Sequence, residues 1–444
     1  MSALAESAAA ELGDPRLPRL VLRLAGPAVV GISAHSLQMV ANALFVAGLG
    51  PAAVASVALV QSMTLAVAAL GYGIGIGTAS VVSRALGRGD GRAAGEAAAL
   101  GLALTLPAGA LALALLLPDV EAALRLFGAP ASVVATARAY APLAVIATAV
   151  MLVHIVGGFI ARAEASARFS MTVMVGAFGL NILLDALFIL GWGWGIEGAG
   201  WATLVSQAAA AAAYALYFRT GSGLRLRLCL RRAAGIVREI LAVGASASAA
   251  ALLAALSLVL LIRAAAAEGE AAVAALGLAL RILDFGMLPV LGLCSGAEAV
   301  LGFAHGAGDR ARLDRALRLV LAMAAAYALA WSTVAILCAR QLLAPLAPDA
   351  ATLALAVRAS NAIETAFPLW AVAAVVLTRF QATGAAHRAA ALSFAPQGCA
   401  LPALLLALVP AWGFEGVVAS RALADAAACL LALLLLAAGR RRDA

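Results

Sequence analysis

The twelve residues GLNILLDALFIL, from Gly179 to Leu190, place one acid, Asp185, inside an otherwise apolar run. A charge at the centre of a bilayer costs at least ~2.5 to 3.5 kcal/mol on insertion scales, so an acid kept there is a candidate functional group. The nearest arginine on the same stretch, Arg168, lies about 25 Å away along a helix rising 1.5 Å per residue. The neighbour one turn back is neutral Asn181. Burial without a counter-cation penalises the charged form of a carboxylate, which is the property a proton-coupled switch needs. The bland alternative is hydrogen-bonded glue between helices, with Asp185 permanently protonated.

Other polar residues could surround Asp185. His35, Gln38 and Asn42 recur at offsets of three and four and so share one helix face. Thr203 and Gln207 do the same further on, and His154 interrupts another apolar run. A membrane histidine serves either as a packing residue or, with an intrinsic pKa near 6.5, as a switch. The remaining intramembrane acids read as structural. Asp284 lies three residues after Arg281 and Asp425 four after Arg421, so each has a cation on its own helix face. Glu298 and Glu364 fall nearer helix ends, where water is expected to reach them, and Glu164 follows Arg162 at the edge of another helix.

These residues need a membrane fold to position them. The chain of 444 residues is 65% hydrophobic and 12% charged, with mean hydropathy +1.04, which indicates an all-α polytopic membrane protein. Breaking the apolar runs at charged and Gly/Pro punctuation predicts twelve transmembrane helices. They cover roughly 17–45, 54–82, 93–117, 131–161, 167–190, 197–218, 236–263, 272–303, 312–338, 351–382, 388–410 and 414–438. All the basic residues are arginine. With the N-terminus placed in the cytoplasm, alternate loops differ about fourfold in arginine. Both termini are therefore expected inside, and the first 20 residues lack a signal peptide's apolar region. This bias explains the net charge of +8 without a nucleic-acid partner. The five cysteines have no metal or redox spacing, and no nucleophile and base pair suggests an enzyme. GYGIGIG, from Gly71, lies inside a predicted helix and reads as close packing rather than a cofactor loop.

The two halves repeat at an offset of roughly 218 residues. GRGDGRAA from Gly87 resembles GAGDRARL from Gly306, and GIEG from Gly195 resembles GFEG from Gly413. VLGLCSG, from Val290, stands opposite GYGIGIG. Six helices per half imply two pseudo-symmetric six-helix bundles, related by an axis along the membrane normal, around a central cleft. The expected division is an N-terminal lobe over 1–218, a cytoplasmic linker over 219–235 and a C-terminal lobe over 236–444. The positions opposite Asn42, His154, Asn181 and Asp185 hold Val259, Ala371, Cys399 and Ala403, so the polar site belongs to the first lobe.

Nearly the whole chain resembles the multidrug and toxic compound extrusion (MATE) transporters, in particular their DinF-like prokaryotic branch. The resemblance is carried by LAGPAVVG, ALFVAGLGPAAVASVAL, SRALGRGDGRAA, ARAEAS, LNILLDALFILGWGWGIEGAGWATLVSQ, ALGLALRILDFGMLPVLGL and GVVASRALADAAACLLALLLL, in that order. It implies a cation-coupled efflux pump whose first lobe binds the coupling ion through an Asp on helix one, an Asn on helix four, an Asn and an Asp on helix five and a Thr on helix six. Asn181, Asp185 and Thr203 match that set, and Pro27 matches the proline near which helix one bends. Asn42 stands where the family usually has its helix-one Asp, and His154 near its helix-four Asn.

With one carboxylate in place of two, a dehydrated Na⁺ would rest on a single formal charge, and a protonatable histidine is a poor ligand for a hard cation. The expectation is therefore H⁺ coupling rather than Na⁺, with Asp185, Asn181, Asn42, His154 and Thr203 as the coupling group. His35, Gln38, Asp284 and Arg281 are secondary candidates, and Pro27 is the hinge. The substrate would be an amphiphilic or cationic organic compound. No organic cofactor, a monomeric state and a bacterial cytoplasmic membrane complete the expectation. The rivals are a Na⁺-coupled exporter, a lipid-linked oligosaccharide flippase of the same superfamily and a non-transporting membrane scaffold.

Overall fold

The computed structural model describes residues 10–126 and 130–443, with side chains omitted at 131, 132, 230 and 440–443. The first nine residues and the side chains of Arg440, Arg441 and Arg442, all expected in the cytoplasm, lie outside the described residues. Among the described residues the chain is helical, and ten segments, from Leu17–Ala47 to Ala386–Gly439 and without Gly195–Thr220, are long and apolar enough to cross a membrane.

The first lobe comprises α1 (Leu17–Ala47), α2 (Pro51–Gly87), α3 (Gly91–Leu116), α4 (Ala131–Ala163), α5 (Ala167–Asp185) and α6 (Gly195–Thr220). A π-helical turn, Ala186–Gly191, extends α5. The second lobe comprises α7 (Leu230–Ala267), α8 (Glu270–Gly306), α9 (Arg310–Leu337), α10 (Ala350–Ala382), α11 (386–412) and α12 (414–443). The last apolar segment holds both α11 and α12, because the chain breaks at Gly413 with φ 55°. Helix ends run beyond the hydrophobic pattern where polar residues continue the coil. Pro51 starts α2, since its missing N–H costs nothing at a first helical position. Arg-rich turns start α7 at Leu230 and leave only 221–229 between the lobes.

The sequence repeat has a local cause. Gly89 and Gly308 adopt left-handed φ values of 73° and 72°, and the following Asp90 and Asp309 cap the next helices by accepting from Ala93 N (2.9 Å) and Arg312 N (2.8 Å). A glycine that ends one helix and an aspartate that starts the next are what these hairpins require. Gly195 and Gly413 likewise share positive φ, 58° and 55°.

Packing follows the same symmetry. α2 lies on α4 and α4 on α6, as α8 lies on α10 and α10 on α12. α1 lies on α5, as α7 lies on α11. The lobes meet where α1 crosses α8 and α2 crosses α7. At those crossings Gly73 and Gly77 of α2 face Gly244 and Ile240 of α7, and Gly292 and Gly296 of α8 face Val29 and Ala25 of α1. A Cβ at any of the four would overlap partner backbone, so GYGIGIG and its counterpart serve close helix contact. Leu12 to Asp14, at the start of the described chain, and the end of α12 lie on one face of the molecule, called here the terminal face. The Arg312 guanidinium ties it together by donating to the carbonyls of Leu12 (2.5 Å), Gly13 (3.2 Å) and Asp14 (2.9 Å). The molecule is a multi-pass membrane protein.

Glu164, which caps α4 on the terminal face, does not pair with Arg162. It accepts from Tyr217 Oη (2.7 Å), Ser222 Oγ (2.9 Å) and Gly223 N (3.1 Å), fastening the end of α6. Burial pushes its carboxyl up to about 7 against the lowering effect of these donors. A folded-state acid raised above its ordinary 4.5 binds more protons than the unfolded chain. Its stabilising contribution is thus full below that value and is lost as pH rises towards 7. Glu164→Gln should flatten the fall in melting temperature between pH 4.5 and 7 relative to the unmodified protein, measured by thermal unfolding in detergent. In the same assay Gly77→Ala should destabilise by about 1–3 kcal/mol through overpacking. Gly179→Ala, with open space around it, should be neutral or stabilising.

Candidate functional site

α1 and α5 run parallel, and their polar faces meet as rungs at a constant separation of 143 residues. Asn42 Nδ2 donates to Asp185 Oδ2 at 3.5 Å, and Gln38 Nε2 donates to Asn181 Oδ1 at 2.5 Å. One turn nearer the terminal face, the His35 ring lies 4.9 Å from the ring of Phe178. Below that, Gly31 gives room to Met174, whose Sδ would touch a Cβ at 3.0 Å. Two helices of equal pitch keep register over these turns, so the offsets of three and four in α1 find the same offsets in α5.

Asp185 has no exposed surface, and its Oδ1 has no hydrogen-bond partner. The Asn181 amide has a second orientation, which replaces the Gln38 bond just given: turned over, its NH₂ faces Gln38 and donates to Asp185 Oδ2 (3.3 Å), and its oxygen accepts from Thr203 N (3.2 Å). Thr203 therefore joins through its backbone, while its hydroxyl donates to Ala199 O at 2.9 Å, as threonines in helices commonly do. The buried Tyr140 of α4 lies near Asp185. The sequence reading missed it, although Tyr140 lies about four helical turns from His154 and hence on the same face of α4. That spacing was the available signal.

His154 does not join Asp185. It is buried on the terminal side of Phe178, its Nδ1 2.9 Å from Gln207 Oε1 and its ring stacked on Tyr214 at 5.8 Å. With Gln207 Oε1 accepting, Nδ1 carries a proton. His35 Nδ1 is buried without a partner. The coupling group expected from sequence thus divides: Asn42, Gln38, Asn181 and Asp185 form one network, and His154 with Gln207 a second.

The second lobe corrects three expectations. Arg281 and Asp284 are both exposed and form no ion pair within 4 Å among the described residues, as an exposed pair gains little from holding one geometry. Arg421 and Asp425 do pair, at 3.4 Å and largely buried. Glu298 and Glu364 are not reached by water. They are 6% and 0% exposed, because neighbouring helices cover both.

Pro27 lies inside α1, between Ala25 and Val29, which rest on α8. The half of α1 before Gly31 is thus held by the second lobe, and the half after it by α5 of the first. A proline at this point removes a backbone hydrogen bond and weakens the helix between its two attachments.

The chain matches the family model described as MatE over residues 27–187 and 246–404. Among curated relatives, the multidrug export protein MepA of Staphylococcus saprophyticus is 23% identical over 277 residues, 62% of this chain and 61% of that protein. MepA of Staphylococcus aureus is 22% identical over 278 residues, with the same coverage. The matched region thus spans about three-fifths of these relatives' length. Among solved structures, a MOP superfamily transporter from Pyrococcus furiosus superposes with TM-score 0.90 at 26% identity, covering 97% of each chain. An outward-facing multidrug resistance MATE transporter superposes with TM-score 0.88 at 27% identity over 95% of each. With both repeats matched by the family model and the whole fold shared with these structures, the chain belongs to the MATE family.

Proposed function

We propose that this protein exports amphiphilic or cationic organic compounds by alternating access, coupled to proton entry at Asp185. The observation that carries this reading is the α1–α5 ladder. It buries one uncompensated carboxylate on the helix packed against α1, whose other half is held by the opposite lobe. Asp185 ionised keeps a desolvated charge with two amide donors, Asn42 and Asn181. Protonated, it becomes a donor itself and loses that desolvation penalty. The upper half of α1 then repacks on α5 and α6 while its lower half stays on α8, bending near Pro27. A state-dependent difference of one pKa unit is worth about 1.4 kcal/mol, so two or three units would bias the two states substantially.

The ligand set favours H⁺ over Na⁺. It offers one carboxylate and neutral amides, and the Thr203 hydroxyl is turned to its own helix. A flippase for a pyrophosphate-linked sugar would need several free cations, whereas Arg421 pairs with Asp425 and Arg281 alone of these two arginines has no ion pair within 4 Å among the described residues. The export activity named for the staphylococcal relatives agrees with a drug-like substrate. The arginine distribution supports a terminal face on the cytoplasmic side, and the reading takes the protein as a monomer of a bacterial cytoplasmic membrane.

In proteoliposomes, efflux of a fluorescent cationic dye should follow an imposed pH gradient and ignore a Na⁺ gradient. Asp185→Asn should reduce that flux to the level of protein-free liposomes while leaving equilibrium dye binding within about twofold. Flux that survives the substitution would reduce Asp185 to packing glue. Asn42→Asp, by supplying a second carboxylate beside Asp185, should make transport respond to Na⁺ in the same assay.

A further inference from the structure

The terminal face is closed by contacts between lobes. Gly87 of α2 meets Phe303 and Ala307, Gly306 of α8 meets Arg84, and Gly302 meets Ser83. Ser80 Oγ donates across the same seam to Gln381 O at 2.5 Å. Two arginines of the first lobe are set into this closure, each facing an acid of the second.

Arg84 is 8% exposed and its side chain is fully engaged. Nη1 pairs with Glu239 Oε1 of α7 at 2.5 Å, and Nε donates to Ser80 O at 3.0 Å. The guanidinium lies against Gly384 of the α10–α11 turn, where a Cβ would come within 2.8 Å of Nη1. Deeper in the seam, Arg162 of α4 donates to Ser170 Oγ at 2.8 Å and faces Glu298 of α8 across a small gap lined by Ala79, Phe159 and Ser295. Their charges interact without an ion pair within 4 Å, and Arg162 Nε and Glu298 Oε1 have no hydrogen-bond partner. Both groups thus line one small buried gap between the lobes, each with an atom left without a partner.

The pseudo-symmetry separates packing from charge. The seam glycines recur at a shift of 219 residues, Gly73 with Gly292, Gly77 with Gly296 and Gly87 with Gly306. At the same shift Arg84 corresponds to Phe303, Glu239 to Leu20, Glu298 to Ala79 and Arg162 to Gln381. Closing the seam therefore needs the glycines in both halves, and its pseudo-symmetric counterpart closes with uncharged residues in place of these charges.

We infer that Arg84–Glu239 and Arg162–Glu298 are positioning pairs that hold the terminal face shut and set the ratio of the two cleft-facing states; the inference rests on the alternating-access reading. When this face opens, α2 must part from α7 and α8, and all four groups exchange their partner for water. Removing one charge leaves its partner desolvated only while the face is closed, which shifts the ratio towards opening.

The test uses the full chain in nanodiscs, native cysteines replaced, with spin labels at Arg88 and Arg315, which are exposed on opposite lobes of this face. Pulsed electron resonance at constant pH, without gradient or substrate, should show a short distance in the reference protein. Glu239→Gln and Glu298→Gln should each raise the long-to-short ratio about tenfold, equivalent to ~1.4 kcal/mol. Arg84→Glu combined with Glu239→Arg should restore the reference distribution. Unchanged distances in both single variants, at reference melting temperature, overturn the inference. Because Glu239 is half exposed, its amide variant keeps the test available if the double variant fails to fold. If labels respond while no cation gradient drives dye flux, the export reading falls alone; if flux persists and labels do not respond, the gate falls alone.

Discussion

Backbone contact between α1 and α8, and between α2 and α7, is the constraint on which the remaining structure depends. Inside a bilayer there is no hydrophobic force to drive helices together, so association rests on close packing, and only glycine lets two helix axes approach this far. Gly73, Gly77, Gly292 and Gly296 provide it in two pseudo-equivalent places. Each contact takes the first half of a helix that opens one lobe and lays it on the other. The lobes are therefore joined by helices they share, not by a flat interface between separate bodies.

From that sharing follows the position of the acid. α1 leaves α8 near Val29 and continues along α5, and its polar stripe meets Asn181 and Asp185 rung by rung. A change in Asp185 is felt by a helix whose other end belongs to the opposite lobe. The proline at residue 27 sits in the α8-held part, one turn before Gly31 passes the helix to α5, which gives the bend a place close to the changeover. The histidine pair on either side of Phe178 is one level removed from this ladder. It is a neighbour of the site, with its own hydrogen-bond partner in Gln207.

The arrangement also explains why the two halves, alike in backbone, differ in chemistry. Turns, caps and close contacts repeat because every six-helix unit must make the same hairpins and the same crossings. Charges do not repeat, since each is expensive in a low-dielectric interior and persists only where it has a partner or a task. The first lobe holds the ladder and the cationic members of the cross-lobe pairs; the second holds their acids.

Much of this was legible in the sequence. Hydropathy and arginine alternation determined twelve helices, because the length of a span and the charge of a loop are properties of local composition. The repeat was visible because Gly89–Asp90 and Gly308–Asp309 are local devices, a left-handed turn followed by a helix cap. Asp185 stood out because its isolation from any arginine can be counted along one helix. The tertiary structure alone decided what lies across from each residue. It turned Thr203 to its own helix, separated His154 from Asp185, brought in Tyr140 and buried Glu298 and Glu364, which the sequence placed near water. It also joined Arg84 to Glu239 from helices more than 150 positions apart. Such pairings depend on helix rotation and level, and those are set by how whole helices pack rather than by the pattern within any one of them.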